Sequence, residues 1–296
     1  MLPPLIDAHF HLWSMTGAPA YPWLRGPAQR RYHGDDTVLR HDYLPADYLA
    51  DVGGLPVVGA VHVEAGADDA IAEASWLSGV LGELPFPVVH VARTDLGAPG
   101  ADAQLDELAA MPFVRGIRHI LNWHPDPVYS HTDRDGIIDE PVWRNRFARL
   151  ARLGLSFDLQ VFPAQLAAAS RLADEFDDTW IVLDHAGMPI ERDPEGLAAW
   201  RADMGRLASH PRVVVKVSAL GTNDHTWTAA SIQPIVHETI DAFGPDHVMF
   251  ASNFPVDGMY STLERLYAAF DALTESYSAA ERDDMFRGTA ARFYRL

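Results

Sequence analysis

The chain alternates short apolar runs with amphipathic stretches along almost its whole length. The apolar runs are rich in Val and Ile and nearly continuous, which is typical of parallel strands buried on both faces. They predict strands over residues 5–9, 57–63, 87–92, 114–120, 155–161, 180–185, 213–218 and 247–252. The other stretches predict helices over residues 45–52, 69–83, 101–110, 140–152, 164–175, 195–209, 227–243, 260–275 and 278–293.

This order of strands and helices predicts an α/β fold, a closed (β/α)8 TIM barrel with right-handed crossovers. A length of 296 residues suits one barrel, so we expect residues 1–296 to form a single domain with an extra C-terminal helix. An open doubly wound sheet is the alternative, but no glycine-rich phosphate turn follows the first strand. The long connections after strands one and four, residues 12–44 and 121–139, are rich in aromatic residues and favour lids over a pocket.

The composition excludes several classes of function. The net charge is −18, from 23 Lys and Arg against 41 Asp and Glu, which argues against nucleic acid or an anionic membrane as a partner. There are no cysteines, which excludes disulfides, thiol catalysis and cysteine-bound metals. No apolar run approaches the ~20 residues of a membrane span, and the first residues do not resemble a signal peptide. We therefore expect a cytoplasmic protein with a small-molecule substrate, and pairing through the outer helices would make it a homodimer.

Polar and ionisable residues stand where the predicted strands end. His9 and His11 are two residues apart on the first strand, so their imidazoles share a face. The carboxyl ends of all barrel strands meet at one rim, where the active sites of such barrels lie. Other residues that we expect to converge there are His62, Glu64, Arg118, Gln160, His185, Lys216, Asn253 and Asp257. Burying so many ionisable groups without partners is costly, which indicates a functional site.

Each of these residue types has a chemical use, and some have a structural alternative. Two imidazoles on one strand can hold a divalent metal or a polar substrate. Arg118 and Lys216 can bind substrate carboxylates, and Gln160 can orient a hydroxyl or a lactone carbonyl. Three tryptophans of the long connections, Trp13, Trp23 and Trp123, suit stacking on a flat ring or packing of those connections onto the barrel. His62 is either a substrate contact or a buried histidine with internal partners.

The motifs at the strand ends resemble those of the amidohydrolase superfamily. They are His9-Phe10-His11, Gly116-Ile117-Arg118-His119, Asp158-Leu159-Gln160, Asp184-His185-Ala186-Gly187 and Ser252-Asn253-Phe254-Pro255-Val256-Asp257. Their order is similar to that of the amidohydrolase 2 branch, which contains sugar-acid lactonases, pyrone-dicarboxylate lactonase and related decarboxylases. The resemblance covers nearly the whole chain. It implies that His9, His11 and His185 hold a divalent metal, zinc, which activates water.

One position departs from the family pattern. The family usually carries an aspartate at the end of strand eight, and this chain has Asn253 there. An amide cannot act as a general base and is a poorer ligand for a divalent cation than a carboxylate. A metal-free site is therefore the alternative to zinc held by three imidazoles. The proton carrier would be Asp257, His185 or Glu64, although Asp257 can instead cap a helix that begins near residues 258–260.

The residues and the resemblance together predict a hydrolase that opens a small cyclic ester, a sugar-acid or carboxylated lactone. Water would attack the polarised carbonyl, and Asn253 would hydrogen-bond the water or the developing oxyanion. A decarboxylase or lactone isomerase on the same scaffold is the second hypothesis. A barrel that binds a small molecule without turnover is the third, and Asn253 is the residue that favours it.

Overall fold

The computed structural model describes residues 2–27 and 31–296 of the chain. Its centre is a sheet of eight strands in the order β1 to β8. The strands are β1 (Leu5–Phe10), β2 (Val57–Val63), β3 (Val88–Arg93), β4 (Val114–Ile120), β5 (Ser156–Gln160), β6 (Ile181–Leu183), β7 (Val213–Val217) and β8 (Val248–Phe250). Each strand from β2 to β8 pairs in parallel with the strand before it.

The sheet closes on itself between β1 and the segment that follows β8. Asn253 N donates to His9 O at 2.7 Å across this seam. The Asp7 carboxylate bridges the same seam, because Ser252 N donates to Asp7 Oδ1 at 2.8 Å. The prediction of a (β/α)8 barrel is therefore confirmed.

Helices connect the strands and surround the barrel. Those in the described residues are α1 (Pro22–Arg25), α2 (Pro45–Val52), α3 (Ala70–Val80), α4 (Ala101–Ala109), α5 (Pro141–Phe147), α6 (Leu150–Leu153), α7 (Leu166–Glu175), α8 (Pro194–Ala208), α9 (Leu220–Asn223), α10 (Ala229–Phe243), α11 (Leu263–Leu273), α12 (Ala279–Asp283) and α13 (Thr289–Tyr294). The helix predicted over 140–152 is interrupted between α5 and α6, and a π-helical turn at Asp284–Gly288 separates α12 from α13. Within the described ranges, no helix is long and apolar enough to cross a membrane.

The C-terminal segment closes the barrel at the amino ends of the strands. Arg115, near the start of β4, donates to Tyr294 O at 3.1 Å, and Thr289 donates to Asp246 O, just before β8, at 3.1 Å. The Tyr294 side chain is fully buried among the apolar residues that six of the strands direct into the barrel. The extra C-terminal helix thus fills one end of the barrel and leaves the opposite end for a site.

The two long connections lie over the carboxyl end of the barrel. The connection after β1 carries α1 and a 3₁₀ turn at Asp36–Leu39, and the one after β4 carries a 3₁₀ turn at Ile137–Asp139. The rings of Tyr32 and Tyr129 stack at 5.9 Å between centroids and join the two connections. Both connections contribute side chains to a cavity wall, as their aromatic content indicated.

Candidate active site

A cavity of about 510 Å³ opens at the carboxyl ends of the strands. The structure brings six of the residues predicted for the site to its wall: His11, Glu64, Arg118, Gln160, His185 and Asn253. Further lining residues come from the connections, among them Trp13, Trp23, Tyr32 and His131. Side chains that are remote in the sequence therefore share one concave, partly apolar space, as ligand sites usually require.

The backbone takes an unusual path where three strands meet this cavity. His185, Ala219 and Asn253, which follow β6, β7 and β8, have φ values of 59°, 54° and 58°. Left-handed φ values are uncommon for residues other than glycine, because they cost free energy and the surrounding structure must hold them in place. Residues with such φ values are found mostly at functional sites. His185 and Asn253 both line the cavity, so the strained turns serve to place side chains there.

Three side chains of metal-ligand type meet at the ends of β1 and β6. His9, Asp184 and His185 each offer one ligand atom, and these atoms lie within 4.8 Å of one another. His9 Nδ1 is 3.5 Å from Asp184 Oδ1, and the rings of His9 and His185 are 4.7 Å apart between centroids. No described group forms a hydrogen bond to His9 Nδ1 or to either Asp184 oxygen. Buried polar atoms normally have partners, and two imidazoles with one carboxylate form a donor set that suits zinc.

The surroundings favour the protonation states that a metal requires. Burial lowers the pKa of His9 and of His185 well below the usual value, so both imidazoles are neutral at about pH 7. Lys216 Nζ lies 3.4 Å from one Asp184 oxygen and an Arg118 nitrogen lies 3.9 Å from the other. The cluster therefore combines neutral nitrogen donors with a carboxylate that has two positive neighbours.

His11 belongs to a different chain of contacts. Its Nδ1 donates to Val63 O at 2.8 Å, which leaves Nε2 as an acceptor in the neutral ring. Burial lowers the pKa of His11 to about 4, so the neutral ring prevails at about pH 7. Nε2 lies 3.2 Å from Asn253 Oδ1, and Asn253 Nδ2 donates to Asp257 Oδ2 at 2.8 Å. His11 Nε2 and Asn253 Oδ1 are both acceptors and cannot bond to each other. Each can therefore accept a hydrogen bond from a molecule in the cavity. The metal role of His11 stays a prediction.

Asp257 lies behind Asn253 and, in the described structure, does not line the cavity. Its Oδ1 accepts Gly221 N at 2.9 Å, and its Oδ2 accepts the Asn253 amide. Burial raises the pKa of Asp257 to about 7. Asp257 does not cap α11, as the alternative expected, because Thr262 is the residue that accepts Arg265 N at the start of that helix. Asp257 thus orients Asn253, and direct proton transfer to it, the predicted catalytic role, would require Asn253 to move aside.

Glu64, Arg118 and Gln160 form a polar wall of the cavity. Arg118 Nε donates to Glu64 Oε1 at 2.8 Å, and Arg118 Nη1 donates to Gln160 Oε1 at 3.1 Å. Gln160 Nε2 donates in turn to Asn122 Oδ1 at 3.0 Å. Burial alone would raise the pKa of Glu64, but the Arg118 charge and the Gly66 amide bring it below the usual value. Because Glu64 neutralises Arg118, this wall favours hydroxyl and carbonyl groups over a free carboxylate.

Three residues predicted to contact substrate lie away from the cavity wall in the described structure. His62 is buried, and its Nε2 accepts Leu12 N at 2.9 Å, so it supports the start of the connection after β1. Lys216 faces the barrel interior, where its Nζ pairs with Asp158 Oδ2 at 2.5 Å. Trp123 is half-buried in the connection after β4. These positions correct the expectation that all three reach the substrate.

Sequence reasoning assigned no role to two other residues, Asp184 in the cluster with His9 and His185, and Arg93 on the cavity wall. Asp184 stands in the strand-six motif directly before His185, and that adjacency is the signal that could have identified it. Trp23, one of the tryptophans that suit stacking on a flat ring, lines the cavity wall. The aromatic content of the connection after β1 predicted a wall, but nothing in the sequence determines which aromatic ring faces inwards.

Comparison with known proteins identifies the family. The family model described as amidohydrolase matches residues 6–296. The chain belongs to this family. The resemblance of its strand-end motifs to the amidohydrolase 2 branch is thereby confirmed.

Relatives of this amidohydrolase family member match it from end to end. The uncharacterized protein y4mH of Sinorhizobium fredii is 39% identical over 294 residues, with 99% of this chain and 98% of that protein covered. An L-fucono-1,5-lactonase of Burkholderia multivorans is 32% identical, with 98% and 96% covered. The crystal structure of an amidohydrolase from Burkholderia multivorans with bound zinc has a TM-score of 0.82 at 29% identity, with 99% of each chain covered.

Proposed function

We propose that this protein hydrolyses a small lactone in the cavity at the carboxyl end of its barrel. The observation that carries the proposal is the cluster of His9, Asp184 and His185, of which His185 lines that cavity while His9 and Asp184 lie buried behind it. A relative that is 32% identical over almost the whole chain is named an L-fucono-1,5-lactonase, which favours a sugar-acid lactone as the substrate. Lactone hydrolysis needs a nucleophilic water and a proton carrier, and the site offers groups for both.

We assign a divalent metal, zinc, to the same cluster. His9, Asp184 and His185 would hold the ion, because they combine neutral imidazoles with carboxylate oxygens that have no described hydrogen-bond partner. When bound, the ion supplies Lewis acidity that makes water a stronger nucleophile near neutral pH. The positive charges of Lys216 and Arg118 beside Asp184 repel a further cation and weaken its binding, so we expect a chelator to remove the metal.

His11 and Asn253 would orient the attacking water, so we propose that His11 Nε2 serves the water and not the metal that was predicted for it. His11 Nε2 and Asn253 Oδ1, 3.2 Å apart, can each accept one proton of a water molecule, which directs its oxygen towards the lactone carbonyl. As the new C–O bond forms, His11 Nε2 takes the water proton, while its Nδ1 stays bonded to Val63 O. The ring C–O bond then breaks, and His11 returns that proton to the leaving ring oxygen. Asp257 supports this step by holding the Asn253 amide in the required direction.

A lactone assay with and without metal tests the proposal. L-fucono-1,5-lactone and a smaller lactone are supplied to the purified protein before chelation, after chelation and after zinc is returned. We expect ring opening that is lost with the chelator and restored by zinc. Asp184→Asn should lower zinc occupancy and turnover together, whereas Asp177→Asn, at an exposed residue, should change neither. No turnover of any lactone in either metal state would contradict the proposal.

The same assay separates the other hypotheses. Carbon dioxide release from an acid substrate would indicate a decarboxylase, and conversion of one lactone into another would indicate an isomerase. Tight binding without turnover, unchanged in Asp184→Asn, would indicate a binding protein. Only hydrolysis produces a free hydroxy acid from the lactone.

A further inference from the structure

Trp23 presents an apolar surface to the cavity. Its Nε1 donates to Ala65 O at 2.7 Å, so the polar atom of the indole is already used inside the protein. Trp13, itself fully buried, meets Trp23 edge to face at 5.6 Å between centroids and fixes the plane of the ring. A ligand in the cavity therefore meets the aromatic carbon surface of Trp23 and not its N–H group.

Gly66 allows Trp23 to take this position. Gly66 has a φ of +74°, and a Cβ atom placed on it would lie 3.1 Å from both Cδ1 and Nε1 of Trp23. Only glycine combines this left-handed conformation with so close an approach of another side chain at little cost. The indole thus lies directly against the backbone of the turn that follows β2.

The same turn also fixes the polar wall of the cavity. Glu64 Oε2 accepts Gly66 N at 2.7 Å, and Glu64 Oε1 accepts Arg118 Nε at 2.8 Å. Residues 64–66 therefore position an aromatic surface and a charged, hydrogen-bonded surface relative to each other. A ring with a C–H face and a hydroxylated edge matches both surfaces, whereas a small ring without hydroxyls matches only the aromatic one.

We propose that Trp23, held in place by Gly66, is a specificity-determining residue that stacks on the C–H face of a six-membered, hydroxylated lactone ring. This inference rests on the proposed function and names the residue that selects its substrate class. Trp23 has no polar atom free to act on the reacting carbonyl, so it binds the substrate and the transition state alike. Such uniform binding lowers KM and leaves kcat unchanged.

Steady-state kinetics of four variants tests the proposal. Trp23→Ala should raise KM for L-fucono-1,5-lactone about 3- to 10-fold, the range expected for one stacking contact, with kcat changed less than about twofold. Trp23→Phe should fall between Trp23→Ala and wild type. Gly66→Ala, which keeps the indole but displaces it, should raise KM in the same direction, and circular dichroism verifies that it folds. Trp180→Ala, at a partly exposed tryptophan remote from the cavity, is the control with unchanged KM.

A binding measurement separates this inference from the proposed function. A 1,5-anhydro sugar alcohol has the same ring but no carbonyl, so calorimetry can measure its Kd whether or not the protein turns over lactones. We expect Trp23→Ala to weaken its binding by the same factor as KM. If wild type hydrolyses the lactone while KM and Kd do not change in Trp23→Ala, the role of Trp23 is wrong and the proposed function stands. If wild type does not bind the anhydro ring, or Trp23→Ala lowers kcat alone, the inference is likewise overturned.

Discussion

Replacing Lys216 by methionine should strongly destabilise the protein, because it removes a cation from a buried charge cluster. Lys216, Asp158 and Asp184 are all fully buried. Lys216 Nζ lies 2.5 Å from Asp158 Oδ2 and 3.4 Å from Asp184 Oδ1. In the variant, both carboxylates would remain in the barrel interior beside an apolar side chain.

The expected decrease in the free energy of unfolding is about 3–5 kcal/mol, the usual cost of removing one partner from a buried ion pair. Asp158 keeps the hydrogen bond from Tyr294 Oη at 2.9 Å, which limits the loss. Even with Lys216 present, burial raises the pKa of Asp158 to about 6, and removing the cation raises it further. A carboxyl group with a higher pKa in the folded than in the unfolded protein costs stability as the pH rises. The loss should therefore be larger at about pH 8 than at about pH 5.

Urea unfolding of the metal-free protein, followed by circular dichroism at both pH values, measures this effect. The double variant Lys216→Met, Asp158→Asn should be more stable than Lys216→Met alone. The second substitution removes the Asp158 charge that the first leaves without a partner. Arg171→Met is the control: it breaks an exposed pair with Asp139 at 2.9 Å and should cost less than about 1 kcal/mol. A loss below about 1 kcal/mol for Lys216→Met, or the same loss at both pH values, would show that Lys216 does not stabilise the buried carboxylates.

Three other substitutions test separate parts of the structure. Burial, with the neighbouring Glu64 carboxylate, raises the pKa of Glu73 to about 8. Wild type should therefore lose stability relative to Glu73→Gln as the pH rises from about 5 to about 8, and equal urea midpoints at all pH values would contradict this. Tyr48→Phe should lower the free energy of unfolding by about 1–2 kcal/mol, since Tyr48 Oη donates to buried Asp7 at 2.9 Å; an unchanged urea midpoint would show that the bond is dispensable. Asp257→Asn should lower kcat at least about tenfold with KM nearly unchanged, because the Asn253 amide loses the carboxylate that orients it; a change in KM alone would argue against that role.

The barrel strands could be predicted because their Val-rich runs are buried on both faces. The bounds of β2 and β4 coincide with the predicted residues 57–63 and 114–120. Strands were predicted too long over 180–185 and 247–252, where the structure has only Ile181–Leu183 and Val248–Phe250. The missing residues lead into left-handed turns at His185 and Asn253, and hydrophobic patterning does not encode such turns.

The sequence allows the site residues to be predicted only as far as the alternation along each strand shows which side chains point into the barrel. His9 and His185 follow from strand ends, and the structure brings them together. Lys216 has a similar position in the sequence but lies in an interior layer of the barrel, paired with Asp158. Whether an inward side chain lies in that layer or at the rim depends on the stagger of the strands, which a single sequence does not reveal. The location of Trp23 depends on how a long connection folds back over the barrel.

Incorporation of oxygen from water tests most directly whether this site hydrolyses a lactone. The reaction is run in ¹⁸O-enriched water with L-fucono-1,5-lactone, and the product of wild type and of Asp184→Asn is analysed by mass spectrometry. We expect a hydroxy acid with one heavy oxygen in its carboxylate, formed rapidly by wild type and slowly by the variant. A product without the label, or equal rates for the two proteins, would contradict hydrolysis at this site.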